Sequence, residues 1–237
     1  MGNAKGKSVN AKSIDIYEAD YQKIAAKKKP QFVSPAENLV RAVRHEKLEI
    51  GTDRVALDFG CGDGRNCQYL HNLGYQVVAL DFSQGALNAT RARFDDGDVE
   101  LLFIEEKTAV PILEESLDFI VAWEIMHWLG YEKIFDFYMA DFKRLMRPDA
   151  KLVMTMPTED HFLSRDSIQS GRSEFVIQHP TRNGCPIYSP NLRTLHEKIG
   201  TLEMAITRTL RYDLYDSVPF DGLGYPFSMY VFCLENS

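Results

Sequence analysis

The sequence predicts an α/β fold, a three-layer α/β/α sandwich around a mostly parallel sheet, and three observations carry that reading. Short apolar runs alternate with amphipathic segments between residues 54 and 157, the pattern of strands joined by crossover helices. The first run, Ala56-Leu57-Asp58-Phe59, ends in Gly60-Cys61-Gly62-Asp63-Gly64, so a strand turns sharply into a helix over residues that adopt positive φ without steric cost. The second run ends on an acid, Asp81. In open parallel sheets ligands bind beyond the carboxyl ends of the strands, and Gly60–Gly64, Asp81 and Trp123–His127 all fall at such ends.

Residues 1–12 are small and polar without a period and predict a disordered tail. Residues 13–29 space Ile16, Tyr17, Tyr21 and Ile24 on one helical face, and Pro30 stops that helix. Ser34-Pro35-Ala36-Glu37 reads as a capping box that opens a helix to about Lys47, burying Leu39, Val40 and Val43. Residues 13–50 are thus a helical cap before the main domain, 51–237. Strands follow at Arg54–Phe59, Gln76–Leu80, Glu100–Ile104, Phe119–Ala122 and Leu152–Met156. Helices follow at Asn66–Leu73, Gln84–Phe94, Met126–Gly130 continuing through Ile134–Leu145, and Pro190–Ile199. Ser83 or Asp81 caps the second of these. Glu203–Leu210 and Met229–Leu234 alternate like strands, with Pro219–Pro226 between them. Residues 158–189 form an insertion on the ligand side, punctuated at Ser170-Gly171 and Asn183-Gly184, with a short strand at Phe175–Gln178. A long insertion there serves as a lid or substrate clamp, or else is a surface excursion. Its Arg165, Arg172 and Arg182, with His161 and His179, point to an anionic group on a substrate.

Composition narrows the function classes. Of 237 residues, 45% are apolar and 26% charged, ordinary for a soluble globular protein. The net charge of −7 speaks against broad electrostatic adhesion to nucleic acid. DNA is therefore excluded as a partner and RNA disfavoured. The lysines between Lys5 and Lys29 are the local exception, read either as a solvated face or as an RNA-binding arm. No run reaches membrane-span length, and the N-terminus lacks the apolar stretch of a secretory signal. The four cysteines show no metal-ligand spacing; reduced thiols and a cytoplasmic location are the default, and no metal site is expected. A dinucleotide site would want Gly-x-Gly-x-x-Gly with glycine where Arg65 stands, which argues against a nicotinamide-dependent oxidoreductase.

Four blocks together resemble the class I S-adenosylmethionine (SAM)-dependent methyltransferases, small-molecule type. Asp58-Phe59-Gly60-Cys61-Gly62-Asp63-Gly64 is similar to their hydrophobic-D-x-G-x-G-x-G motif, and Asp81 to the acid at the tip of their second strand. Leu117-Asp118-Phe119-Ile120-Val121 with Met126-His127-Trp128-Leu129 resembles the fourth strand and the L-H-H-L-like start of the next helix. Arg144-Leu145-Met146-Arg147-Pro148-Asp149-Ala150 stands where the family has R-x-L-x-P-G-G, and leaves that turn's geometry open because Ala does not favour a left-handed turn. The likeness spans residues 50–157. It implies a seven-stranded sheet whose last strand is antiparallel, SAM as cofactor with S-adenosylhomocysteine (SAH) as product, and in-line SN2 methyl transfer.

The resemblance also implies roles. Asp58 neutralises the methionine amino group, directly or through a water. Gly60, Gly62 and Gly64 admit the methionine and ribose, with Cys61 a small packing residue inside the turn. Asp81 holds the ribose hydroxyls, and Phe82 lies against the adenine. Glu106, with Glu105 as its rival, accepts from the adenine amino group. Trp123 starts the loop facing the sulfonium. His127 is the candidate base or substrate ligand, since its ordinary pKa suits proton removal at neutral pH; capping the helix start is the alternative. Tyr17 and Tyr21 close over the methionine end or belong to the core, and Arg172 and Arg182 contact substrate. The expected acceptor is a small polar or anionic metabolite, methylated on oxygen. The alternatives are an RNA-modifying enzyme and a non-catalytic SAM-binding domain.

Overall fold

The computed structural model of the chain describes residues 15–22, 34–161, 163, 167–178, 184–214 and 227–236. A seven-stranded sheet runs through the molecule in the order β3-β2-β1-β4-β5-β10-β9. Its strands are β1 (Val55–Phe59), β2 (Gln76–Asp81), β3 (Val99–Phe103), β4 (Leu117–Ala122), β5 (Met146–Pro157), β9 (Met204–Leu214) and β10 (Phe227–Asn236). β1 to β5 pair in parallel, and β10 is antiparallel to both its neighbours. A second, antiparallel sheet of β6 (Ser167–Gln169), β7 (Glu174–Ile177) and β8 (Pro186–Tyr188) is built from the insertion.

Alternation within the buried strands divides the core. Leu57, Phe59, Val78, Leu80 and Ile120 face one layer, with α5 (Glu132–Leu145) and α6 (Leu192–Thr201). Ala56, Val77, Ala79, Phe119 and Val121 face the other, with α2 (Glu37–His45), α3 (Arg65–Asn72) and α4 (Gln84–Arg91). A short helix, α1, covers residues 15–22. The order reverses between β1 and β4, so the carboxyl tips of β1, β2 and β4 frame the crevice where such sheets take ligands. No helix among the described residues is long and apolar enough to cross a membrane.

Several local expectations are corrected. Ser34 does not cap α2. The N-cap is Ala36, whose amide donates to Asn66 Oδ1 at 3.2 Å, while Glu37 pairs with Arg41. Ala42 is buried there, and Val40 is only half-buried. The long helix from Met126 is two elements. A 3-10 helix, Met126–Leu129, stops at Gly130 (φ 78°), and α5 begins at Glu132. Pro148-Asp149-Ala150 makes no left-handed turn; β5 begins at Met146 and absorbs it as an irregularity opposite Asp118. α4 ends at Arg91, before the expected Phe94. α6 starts at Leu192, because Asn191 caps it by accepting from the Thr194 amide at 2.9 Å. The tail over residues 1–12 and the connection Pro219–Pro226 lie outside the described residues, as does the predicted helix end near Pro30.

Candidate functional site

The site is built on the turn after β1. The amides of Gly60 and Cys61 both donate to Leu80 O, at 2.8 and 3.0 Å, tying the turn to β2. Gly60, Gly62 and Gly64 have φ of 78°, 58° and 78°, a region that side chains rarely adopt. Space forbids a side chain as well. A Cβ on Gly60 would lie 2.7 Å from Ile125, on Gly62 2.5 Å from the Tyr21 hydroxyl, and on Gly64 2.9 Å from Thr90. Thr90 fastens the turn from α4 by donating to Gly62 O at 3.0 Å, with Cys61 Sγ 3.5 Å from its hydroxyl.

Two acids flank the turn. Asp58, second-last residue of β1, is 1% exposed. The Cys67 thiol donates to its Oδ2 at 3.0 Å, and its Oδ1 is buried without a partner among the described residues. Burial pushes this carboxyl up to about 7; the thiol bond opposes the shift and nearby Asp81 adds to it. Asp81 ends β2, accepting from the Gly62 amide and from the Ser83 amide, both at 2.9 Å. Burial pushes it up to about 6, against those backbone bonds. Ser83, not Asp81, caps α4, taking the Ala86 amide at 3.0 Å.

α1 lies across these elements. Glu18 accepts from Ser83 Oγ at 2.7 Å and from the Gly85 amide at 3.1 Å, and the Ser83 bond holds its carboxyl below the usual range. Tyr21 sets its hydroxyl over Gly62, and burial raises its pKa. Tyr17 meets Trp128 edge-on at 5.5 Å. Phe82, just past β2, packs edge-on against Phe59 at 5.5 Å. Glu106 is half-buried in the turn after β3, and Glu105 is exposed.

The tip of β4 departs from the expectation. Trp123 turns its indole into the α2–α3 layer and stacks on Tyr212 at 6.2 Å and 12°. Glu124 and Ile125 therefore reach the turn in its place. Glu124 has φ 58°, its amide donates to Thr155 Oγ1 at 2.7 Å, and its Oε1 accepts from Trp123 Nε1 at 3.1 Å. Arg65, the first residue of α3, stands 3.8 Å from Glu124 Oε2. Burial raises the Glu124 pKa, while Arg65, Trp123 and the Tyr212 hydroxyl favour its charged form.

His127 does not have the surroundings of a base. It is 3% exposed, its Nδ1 is buried without a partner among the described residues, and burial, with His161 beside it, pushes its pKa down to about 3. The imidazole is neutral at physiological pH and takes a proton poorly. Arg172 is exposed between β6 and β7 and takes no part in the contacts above; Arg182 lies outside the described residues. Sequence reasoning missed Glu18, Glu124, Thr155 and Tyr212, and met Arg65 only as a departure from a dinucleotide motif. An acid directly after an apolar fourth strand was the available signal for Glu124.

Comparison with known proteins bears on the family and the fold. Residues 57–154 match the family described as a methyltransferase domain. The malonyl-[acyl-carrier protein] O-methyltransferase of Yersinia pestis is 30% identical over 148 residues, 59% of this chain and 52% of that protein. The 18S rRNA (guanine-N(7))-methyltransferase of Mus musculus is 25% identical over 145 residues, 57% of this chain and 51% of that protein. The chain thus spans about half the length of the curated relatives it matches. A SAM-dependent methyltransferase from Methanosarcina mazei superposes with a TM-score of 0.68 at 16% identity, over 86% of this chain and 99% of that one, a likeness of fold.

Proposed function

We propose, because residues 57–154 match a methyltransferase domain, that the chain is a class I SAM-dependent methyltransferase and moves a methyl group from SAM to the oxygen of a small polar or anionic metabolite. The observation that carries the reading is the pairing of a three-glycine cradle with a buried carboxylate oxygen that lacks a partner among the described residues. A ligand with a cationic end completes Asp58, and its adenosyl body fits a turn where any Cβ would clash.

When bound, SAM supplies a methyl carbon already activated by its sulfonium. The chain's residues bind, orient and exclude water. Asp58 holds the ammonium end. Gly60, Gly62 and Gly64 let the backbone approach. Asp81, fixed by two backbone amides, keeps lone pairs for the ribose hydroxyls. Phe82 and Glu106 serve the adenine end, and Tyr21 closes the cradle from α1. Orientation of this kind supplies roughly 7–11 kcal/mol of barrier reduction. With His127 enclosed and made a weak base by its burial, an acceptor oxygen bearing its own negative charge fits best, since no proton has to be removed. The Yersinia relative, named as an O-methyltransferase, supports oxygen.

A second reading, methylation of RNA, is favoured by the murine rRNA relative and by the lysines of the N-terminal sequence. Incubation with methyl-labelled SAM, a fractionated metabolite extract and total RNA decides between them. Label in one small product supports the first reading, and label in RNA alone supports the second. Tight SAM binding without transfer would leave a non-catalytic SAM-binding domain.

A further inference from the structure

We propose that Arg65 is the residue that reads the α-carboxylate of the ligand's amino-acid end, and that Glu124 positions it. The inference rests on the reading that the glycine turn holds SAM or SAH, and concerns specificity within that site. Asp58, Asp81 and Glu124 surround the turn, Asp63 inside it is paired with Arg93, and Asp81 adds to the upward push on Asp58. These acids suit an ammonium and a sulfonium. They repel a carboxylate, as like charges do when they meet in a partly buried site. The amino-acid end of SAM is a zwitterion, so a cation has to stand at the same place. Arg65 follows Gly64 directly and acts on Asp58 and Glu124 alike. Its planar fork matches a carboxylate with two parallel hydrogen bonds.

Its present partner leaves the fork available. The Arg65–Glu124 distance of 3.8 Å is an ion pair without a hydrogen bond, and both side chains are about one-third exposed. Glu124 is the more constrained member. Its left-handed backbone (φ 58°) is strained at a non-glycine residue, and the Thr155 hydroxyl, Trp123 Nε1 and the Tyr212 hydroxyl hold it in place. A strained residue fixed from β4, β5 and β9 directs one carboxylate at one arginine. Ile125, its neighbour, lies 2.7 Å from where a Cβ on Gly60 would stand, so this frame packs directly against the cradle.

The test compares SAH with 5′-methylthioadenosine, which has the same adenosyl thioether but no amino-acid end, by titration calorimetry. Arg65→Met should weaken SAH about tenfold to hundredfold, the worth of a charge-assisted pair, and leave 5′-methylthioadenosine within about twofold. Arg65→Lys should fall between, because the point charge remains and the fork is lost. Glu124→Gln should weaken SAH by about threefold to tenfold and spare the truncated ligand. Equal losses for both ligands, or none, in variants that melt like wild type would overturn the proposal. Failure of the wild type to bind either ligand would instead overturn the reading of the glycine turn on which it rests.

Discussion

The two edges of the sheet use acidic residues in opposite ways. At the amino edge, Asp118 is fully engaged: its Oδ2 takes the Val55 amide at 2.8 Å, and Arg147 bonds both oxygens at 2.8 and 2.9 Å. Nearby Asp141 is satisfied likewise by the Val110 amide at 2.7 Å and by Arg144. At the carboxyl edge, Asp58 has, among the described residues, one thiol for a partner and one oxygen without any, Asp81 is lifted by burial to about 6, and Glu124 is held on strained backbone. An acid that staples strands has its partners inside the chain. An acid kept for a ligand is left short of them, and the free protein bears the cost.

Four experiments break or sharpen that contrast. Asp118→Ala should cost about 1–3 kcal/mol of stability, because it leaves the Val55 amide without its acceptor, while the half-exposed Arg147 stays hydrated. Urea unfolding measures this, and SAH affinity should stay within about twofold. Asp58→Asn should do the reverse, weakening SAH about a hundredfold in calorimetry while raising the melting temperature of the free protein at pH 7.5 by a few degrees. Asp81→Ala should weaken SAH by about 1–3 kcal/mol through lost charge-assisted hydrogen bonds, and unchanged affinity in a folded variant would count against the ribose role.

The fourth is a pH series. The folded pKa values of Asp58 and Asp81, about 7 and about 6, lie above the unfolded value near 3.8. The stability tied to their protonated forms is complete below that unfolded value and is lost as pH rises through about 6 to 7. The free protein should therefore melt higher at pH 5 than at pH 7.5, and less so in Asp58→Asn. SAH binding should run the other way. The ammonium needs the charged carboxylate, so affinity should fall about tenfold from pH 8 to pH 6.

Much of the fold was legible because its signals are local. The apolar runs of β1, β2 and β4 and the glycine spacing after β1 are adjacent in sequence. Boundaries failed where distant groups decided them. Asn66 supplied the contact at α2 that Ser34 was expected to make, and extended pairing with β4 carried β5 through Pro148. At the site, the glycines and both acids stood out as residue types at strand tips. The Glu124 frame did not, since a positive φ at glutamate is not written in its identity, and Thr155 and Tyr212 join it only across β5 and β9. The enclosure of His127 was not legible either, since sequence shows only its ordinary pKa.

The central claim is tested most directly by a crystal structure grown with saturating SAH. The account predicts the ligand against Gly60–Gly64, its ammonium on Asp58 Oδ1 and its ribose hydroxyls on Asp81. A cradle left empty under saturating ligand, or SAH bound at another place on the chain, would contradict it.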